Sequence, residues 1–80
     1  MGDDKYLDFM ILTVKQVFKR DDITADTNFE TDLAAKSINI AEVMNILEDE
    51  YDVEVPYMKF NRQKTVREAA DFVRELVEEE

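Results

Sequence analysis

The chain has 80 residues with one Gly, one Pro, no Cys and no His, and its 20 acidic residues against 10 basic ones give a net charge of −10. A second hydrophobic core would need roughly another hundred residues, so one domain spanning 1–80 is expected, and so few turn residues exclude an all-β fold of this length. The charge repels nucleic acid and anionic lipid surfaces, while the missing His and Cys remove the usual general base, the thiolate nucleophile and the commonest transition-metal ligands; what remains favours a non-enzyme that docks on proteins with basic patches.

The first residues, Met1-Gly2-Asp3-Asp4-Lys5, lack the basic stretch and apolar run of a signal peptide. Tyr6 stands where a myristoylation signal at Gly2 needs Ser or Thr. No segment approaches the length of a membrane span, so a cytoplasmic location without membrane insertion is expected. From Asp4 to Phe18 the residues Leu7, Met10, Ile11, Val14 and Phe18 recur at helical spacing, which predicts a first helix capped by Asp3 or Asp4. Residues 19–36 are polar apart from a few apolar positions, of which Ile23, Phe29 and Leu33 read as anchors pinning a long loop to the core.

The stretch Ser37–Tyr51 carries Ile40, Val43, Met44, Leu47 and Tyr51 on one face, the clearest helix in the chain. Read locally, Ser37 is an N-cap for this helix. Asp52-Val53-Glu54-Val55-Pro56 reads as an extended connector, since Pro56 cannot donate to a ladder. Tyr57 to Arg62 predicts one short helical turn with Pro56 near its start. Thr65-Val66-Arg67-Glu68 is a capping box that opens a last helix with Val66, Ala69, Ala70, Val73 and Val77 inward and Phe72 and Leu76 flanking. Glu78 to Glu80 reads as a solvated fray.

The order of these parts resembles the acyl carrier protein family: a long loop with a Phe anchor, Asp32-Leu33-Ala34-Ala35-Lys36-Ser37-Ile38, an acidic amphipathic helix, Val53-Glu54-Val55-Pro56, and a Thr65-Val66 capped final helix. The family's attachment motif usually reads Asp-Leu-Gly-Ala-Asp-Ser-Leu. The likeness runs from Ile23 onward and has no gap from Phe29 to Phe72. It implies an all-α, four-helix carrier-protein bundle with three longer helices, a short third one and a long loop between the first two. It further implies that Ser37 receives 4′-phosphopantetheine from coenzyme A through a phosphopantetheinyl transferase, and that acyl groups ride on the arm's thiol as thioesters. Fatty acid, lipid or secondary-metabolite (polyketide) biosynthesis is the setting such a carrier serves, and a monomer is expected. No base lies next to Ser37 in sequence, so activation of its hydroxyl falls to the transferase.

Two departures from the family stand out. Lys36 replaces a capping Asp, a change worth about 1 kcal/mol of helix stability, and it is placed to contact the phosphodiester on Ser37. In the third helix Phe60 and Gln63 replace a small and an aliphatic residue at positions that help line the family's acyl pocket, which argues for a short or polar cargo or for a chain left outside the pocket; Phe60 itself, like Tyr57, also reads as a core aromatic. Glu42, Glu48 and Asp49 fall where the family presents acids to acyl-loading and acyl-using enzymes, Ile38 adds an apolar contact, and Ser37–Val55 holds six acids and no base.

Other readings are weaker. Asp22, Thr24, Asp26, Asn28 and Glu30 alternate like calcium-loop ligands, but Thr27 and Leu33 stand where that loop needs Gly and a bidentate Glu, so no metal site is expected. The main competitor is a carrier-like acidic docking subunit that is never modified; a narrower one keeps the arm for aminoacyl or D-alanyl groups.

Overall fold

The computed structural model describes residues 4–79. The alternative cap Asp3, the start Met1-Gly2 and the last residue of the expected fray, Glu80, lie outside that range. Four helices occur in order, α1 (Lys5–Phe18), α2 (Ser37–Tyr51), α3 (Tyr57–Phe60) and α4 (Val66–Glu78), with no strand among the described residues. The chain is thus an all-α bundle of three longer helices, a one-turn α3 and a long α1–α2 loop.

Asp4 caps α1, its Oδ1 accepting from the Leu7 N–H at 3.1 Å. The helix buries Tyr6, Met10, Thr13 and Val14, whereas Leu7, Ile11 and Phe18 are half-buried. Its buried arc is therefore wider than the five-residue stripe predicted and centred a residue earlier. The reason is position: α1 packs against both α4 and α2, and a helix between two neighbours buries two flanks. Tyr6 and Phe9 meet Tyr51 at the end of α2, with ring centroids 5.4 Å and 5.7 Å away, the second pair edge-on. Such pairs add about 0.5–1.5 kcal/mol beyond area burial.

The core joins all four helices and the loop. Ile40, Val43, Met44 and Leu47 of α2 share one buried cluster with Met10 and Val14 of α1 and Val66, Ala69, Ala70 and Val73 of α4, joined by Ile23 and Phe29 from the loop and Phe60 from α3. The loop anchors Ile23 and Phe29 are buried as expected, and Leu33 packs half-buried against them. Phe60 is a core aromatic at 2% exposure, but Tyr57 is not: its ring is exposed.

The first turn of α4 is where loop and bundle are joined. Its opening N–H groups would be orphaned in an isolated helix. Here the Val66 N–H donates to the Thr27 carbonyl at 3.0 Å and the Arg67 N–H to that of Ala25 at 2.9 Å. The Glu68 N–H donates to Thr65 Oγ1 at 3.2 Å, as the capping box predicts. The Glu68 carboxylate differs from expectation, accepting from the Lys64 N–H at 2.8 Å one residue earlier than the box requires. The Phe29 N–H to Lys64 carbonyl bond completes the seam.

Across the bundle Arg74 donates to Asp4 at 2.6 Å and to Asp71 at 2.9 Å, tying the two ends of the chain. Burial works to raise the Asp4 carboxyl, but the Arg74 hydrogen bond, the Leu7 N–H and the charges of Arg74 and Arg67 outweigh it and hold the group below the ordinary carboxylate value. Burial and then the nearby Glu78 carboxylate push the Tyr6 phenol up; Glu78 is the last residue of α4 and is exposed. A carboxyl depressed in the folded state contributes stability that is complete above its unfolded value, about 3.9, and is lost as pH falls through the folded one. Asp4→Asn keeps a cap acceptor and removes the charge. It is expected to lower the urea midpoint at neutral pH, with the gap to the parent closing in acid; a gap undiminished at about pH 2 would contradict the assignment.

Candidate functional site

The approach to Ser37 is a tight, self-capped turn. Asn28 Oδ1 accepts from the Glu30 and Thr31 N–H groups at 2.8 and 2.9 Å, an Asx turn. Asp32 Oδ2 returns the support by accepting from the Asn28 N–H at 2.8 Å. The Ala35 N–H then donates to the Phe29 carbonyl at 2.9 Å, so the segment entering α2 hangs from a buried aromatic. Arg20 holds the outer edge: its guanidinium pairs with Asp22 at 2.7 Å and donates to the Asp32 carbonyl at 3.2 Å. Asp22 and Asn28 are thus engaged in ion-pair and turn contacts, and no metal-holding group of acids occurs among the described residues.

Ala34 stands in the left-handed region at φ 49°, a conformation costing an L-residue roughly 1–2 kcal/mol and a glycine nothing. It occupies the motif position where Gly is usual, so the loop keeps a glycine's geometry without a glycine.

Lys36, not Ser37, is the residue at the cap position, extended at φ −105° and ψ 166°. Ser37 is the first helical residue, which overturns its local reading as an N-cap and leaves its hydroxyl free of that duty. The Lys36 ammonium can only donate, so it gives the Ser37, Ile38 and Asn39 N–H groups no acceptor. The compensation comes from Asn39, whose Oδ1 accepts from the Lys36 N–H at 3.0 Å. This is the return half of a capping box, signalled in the sequence by a polar amide three residues past the cap.

Ser37 is exposed, and its Oγ accepts from the Tyr57 hydroxyl at 3.4 Å. That contact is longer than the 2.5–3.0 Å of a firm O–H···O bond, so the serine hydroxyl is held loosely. A cavity of about 250 Å³ opens beside it, between the end of the loop, α2 and α3, with Lys36, Tyr57, Asn61, Gln63 and Lys64 on its walls. Phe29, Ile40 and Phe60 line it from the core side. The Tyr57 contact spans twenty residues of chain and carries no local sequence signal.

The structure brings Lys36, Ser37 and Ile38 together on one exposed corner, with Ile38 at 68% exposure. Glu42 is exposed on the α1 side of α2, lining a groove with Val17, Lys19 and Ile46. Asp49 is exposed too, but twelve residues along the helix it lies about 18 Å from Ser37 in rise. Glu48 behaves differently from its neighbours: half-buried, it accepts from the Val55 N–H through Oε2 at 2.7 Å and braces the α2–α3 connector.

A helical bundle that suspends a free serine hydroxyl at the start of an acidic helix has the build of a carrier domain. The family model described as "Phosphopantetheine attachment site" matches residues 9–73. The chain belongs to this family, as a carrier-protein domain of the acyl carrier type. Its cofactor is covalently attached 4′-phosphopantetheine, which when bound supplies the thiol that a chain without Cys lacks. An exposed hydroxyl with no capping role, beside a cavity that carries ammonium groups, fits such a group. Carrier domains work with a phosphopantetheinyl transferase and with acyl-handling enzymes, and are generally not catalysts themselves. No described helix is long and apolar enough to cross a membrane.

Two substitutions of opposite sign test the local analysis. Ala34→Gly is expected to stabilise the fold by about 0.5–1 kcal/mol through relief of the left-handed backbone. Asn39→Ala is expected to destabilise it by about 0.5–1 kcal/mol through loss of the return cap. Urea denaturation at constant slope measures both.

Proposed function

We propose that Ser37 is the attachment residue and that the chain is an acyl carrier protein which presents short or polar acyl groups, as thioesters, to biosynthetic enzymes. The observation that carries this reading is the Ser37 hydroxyl itself, exposed, first in α2 and within the matched span. The chain's own part in modification is to hold that hydroxyl outward on a fixed turn. Lys36, exposed and without a carboxylate within 4 Å among the described residues, is the proposed charge partner of the phosphodiester, and this accounts for its replacing a capping Asp.

Partner docking is assigned to Ile38, Glu42 and Asp49, with Glu48 contributing only the part of its carboxylate that Val55 leaves free. Exposed acids of one sign raise the encounter rate with basic patches and orient the approach, and they do so less at high salt. The pathway, whether fatty acid, lipid, polyketide, or aminoacyl and D-alanyl transfer, rests with the loading enzyme. Incubation with coenzyme A and a broad-specificity transferase is expected to add the mass of one phosphopantetheinyl group to the parent chain and none to Ser37→Ala. No gain in the parent, with stable partner complexes, would instead mark an unmodified docking subunit.

The cargo assignment comes from Phe60. Its ring fills the core and stands 6.3 Å from that of Phe72, in a region a long chain would have to open. Attaching a long acyl chain is therefore expected to leave the amide resonances of Val43, Leu47, Phe60 and Ala70 in place. Shifts spreading through these four residues would contradict it.

A further inference from the structure

The basic residues of this acidic chain are unevenly placed. Lys36, Lys59, Arg62, Lys64 and Arg67 are five of its ten. Lys36, Lys59, Arg62 and Lys64 have no carboxylate within 4 Å among the described residues, where ion pairs involve Arg20 and Arg74. Two of them, Lys36 and Lys64, line the cavity beside Ser37 against a single carboxylate there, Glu30. The acids proposed for docking lie elsewhere, and Glu42 faces the groove toward α1. A molecule of net charge −10 therefore keeps an excess of cations over carboxylates at a place where an exposed serine hydroxyl is loosely held.

The polar groups of that wall have spare capacity of a definite kind. Tyr57 already directs its hydroxyl at Ser37 Oγ. Gln63 donates through Nε2 to the Lys59 carbonyl at 2.9 Å, which fixes the carboxamide. The Lys64 N–H is taken by Glu68, but its ammonium is not. At about 250 Å³ the cavity is smaller than the roughly 300–1,000 Å³ that closes over a whole drug-sized ligand. It has room for one end of an arm and not for arm and cargo together.

We propose that this cavity seats the phosphate end of the arm, with the Tyr57 hydroxyl as hydrogen-bond donor and the Lys64 ammonium as charge partner opposite Lys36. This deepens the assignment of Ser37 and rests on it. Covalent attachment delivers the phosphate to the serine oxygen that Tyr57 already faces, so no rearrangement of the backbone is needed to bring donor and acceptor together. The arm leaves Ser37 toward α3, and the Glu42 side of α2 stays open for an approaching enzyme. Tyr57 and Lys64 are positioning residues: they hold the arm without taking part in loading or transfer.

The test uses holo-protein prepared from the parent, Tyr57→Phe, Lys64→Ala and Lys59→Ala, each first weighed intact. Failure of the parent to gain the arm's mass refutes the Ser37 assignment, an outcome separate from the spectra of the holo-proteins. In the parent, the phosphodiester ³¹P resonance is expected to be displaced from that of free pantetheine phosphodiester. Apo-to-holo amide shifts are expected at Asn61, Gln63 and Lys64 as well as beside Ser37. Tyr57→Phe and Lys64→Ala should each lose most of both displacements while their apo spectra keep the parent fold. Lys59→Ala, the same charge change outside the cavity lining, should keep them, and about 1 M salt should shrink the Lys64 contribution. A ³¹P resonance at the free-arm position, amide shifts confined to residues 36–39, or equal effects from Lys59 and Lys64 would overturn the proposal.

Discussion

The seam between the α1–α2 loop and the first turn of α4 is the constraint on which the rest of the structure depends. A loop of eighteen residues in so small a chain has enough freedom to leave Ser37 unplaced, and few of its residues reach the core. Three backbone bonds, Val66 to Thr27, Arg67 to Ala25 and Phe29 to Lys64, remove that freedom. The first two also give α4 acceptors that its opening N–H groups would lack. One set of contacts thus starts a helix and anchors a loop, and Phe29, buried at the seam, carries the anchor forward through Ala35 to the corner at Ser37.

That arrangement separates three tasks in space. The core holds α1 between α2 and α4, with the Asp4–Arg74 pair and the Tyr6–Phe9–Tyr51 cluster closing its end. The exposed positions of α2 hold acids, Glu42, Asp49 and Glu50 among them, and charge of this kind acts at long range more than through buried area. The corner at Ser37 holds cations and a phenol. Charge of one sign spread over the whole surface would repel any phosphate group; Lys36 and Lys64, lining the cavity beside Ser37, break that uniformity at one corner.

The helices were readable in the sequence because three of them carry strong periodic faces: Ser37–Tyr51 has the observed bounds, and Asp4 and Thr65 act as the caps expected. The bundle's arrangement was readable through resemblance and not through periodicity, which says nothing about which helix is sandwiched. That is why Tyr6 and Thr13 of α1 were absent from the expected core. At the site, Lys36, Ser37 and Ile38 could be read because they are consecutive. Tyr57 and Lys64 could not, since they reach Ser37 only through the fold, and Tyr57 looked like a core aromatic. Glu48 looked like its neighbours; its bond to Val55 depends on how the connector doubles back.

The residues around Ser37 share a physical character. Ala34 is held in a left-handed conformation, Lys36 leaves the helix start without a side-chain acceptor, and Asn39 returns only one bond. The first two are local costs that the Asn39 bond offsets only in part, and all three fall within six residues, while the corresponding turn of α4 has every opening N–H satisfied. Segments of low local stability open more readily than the core they hang from. The Ser37 hydroxyl at this corner has no base beside it in sequence. The seam bonds at Thr27 and Phe29 hold the loop side of this segment to α4, so these costs stay local to the start of α2.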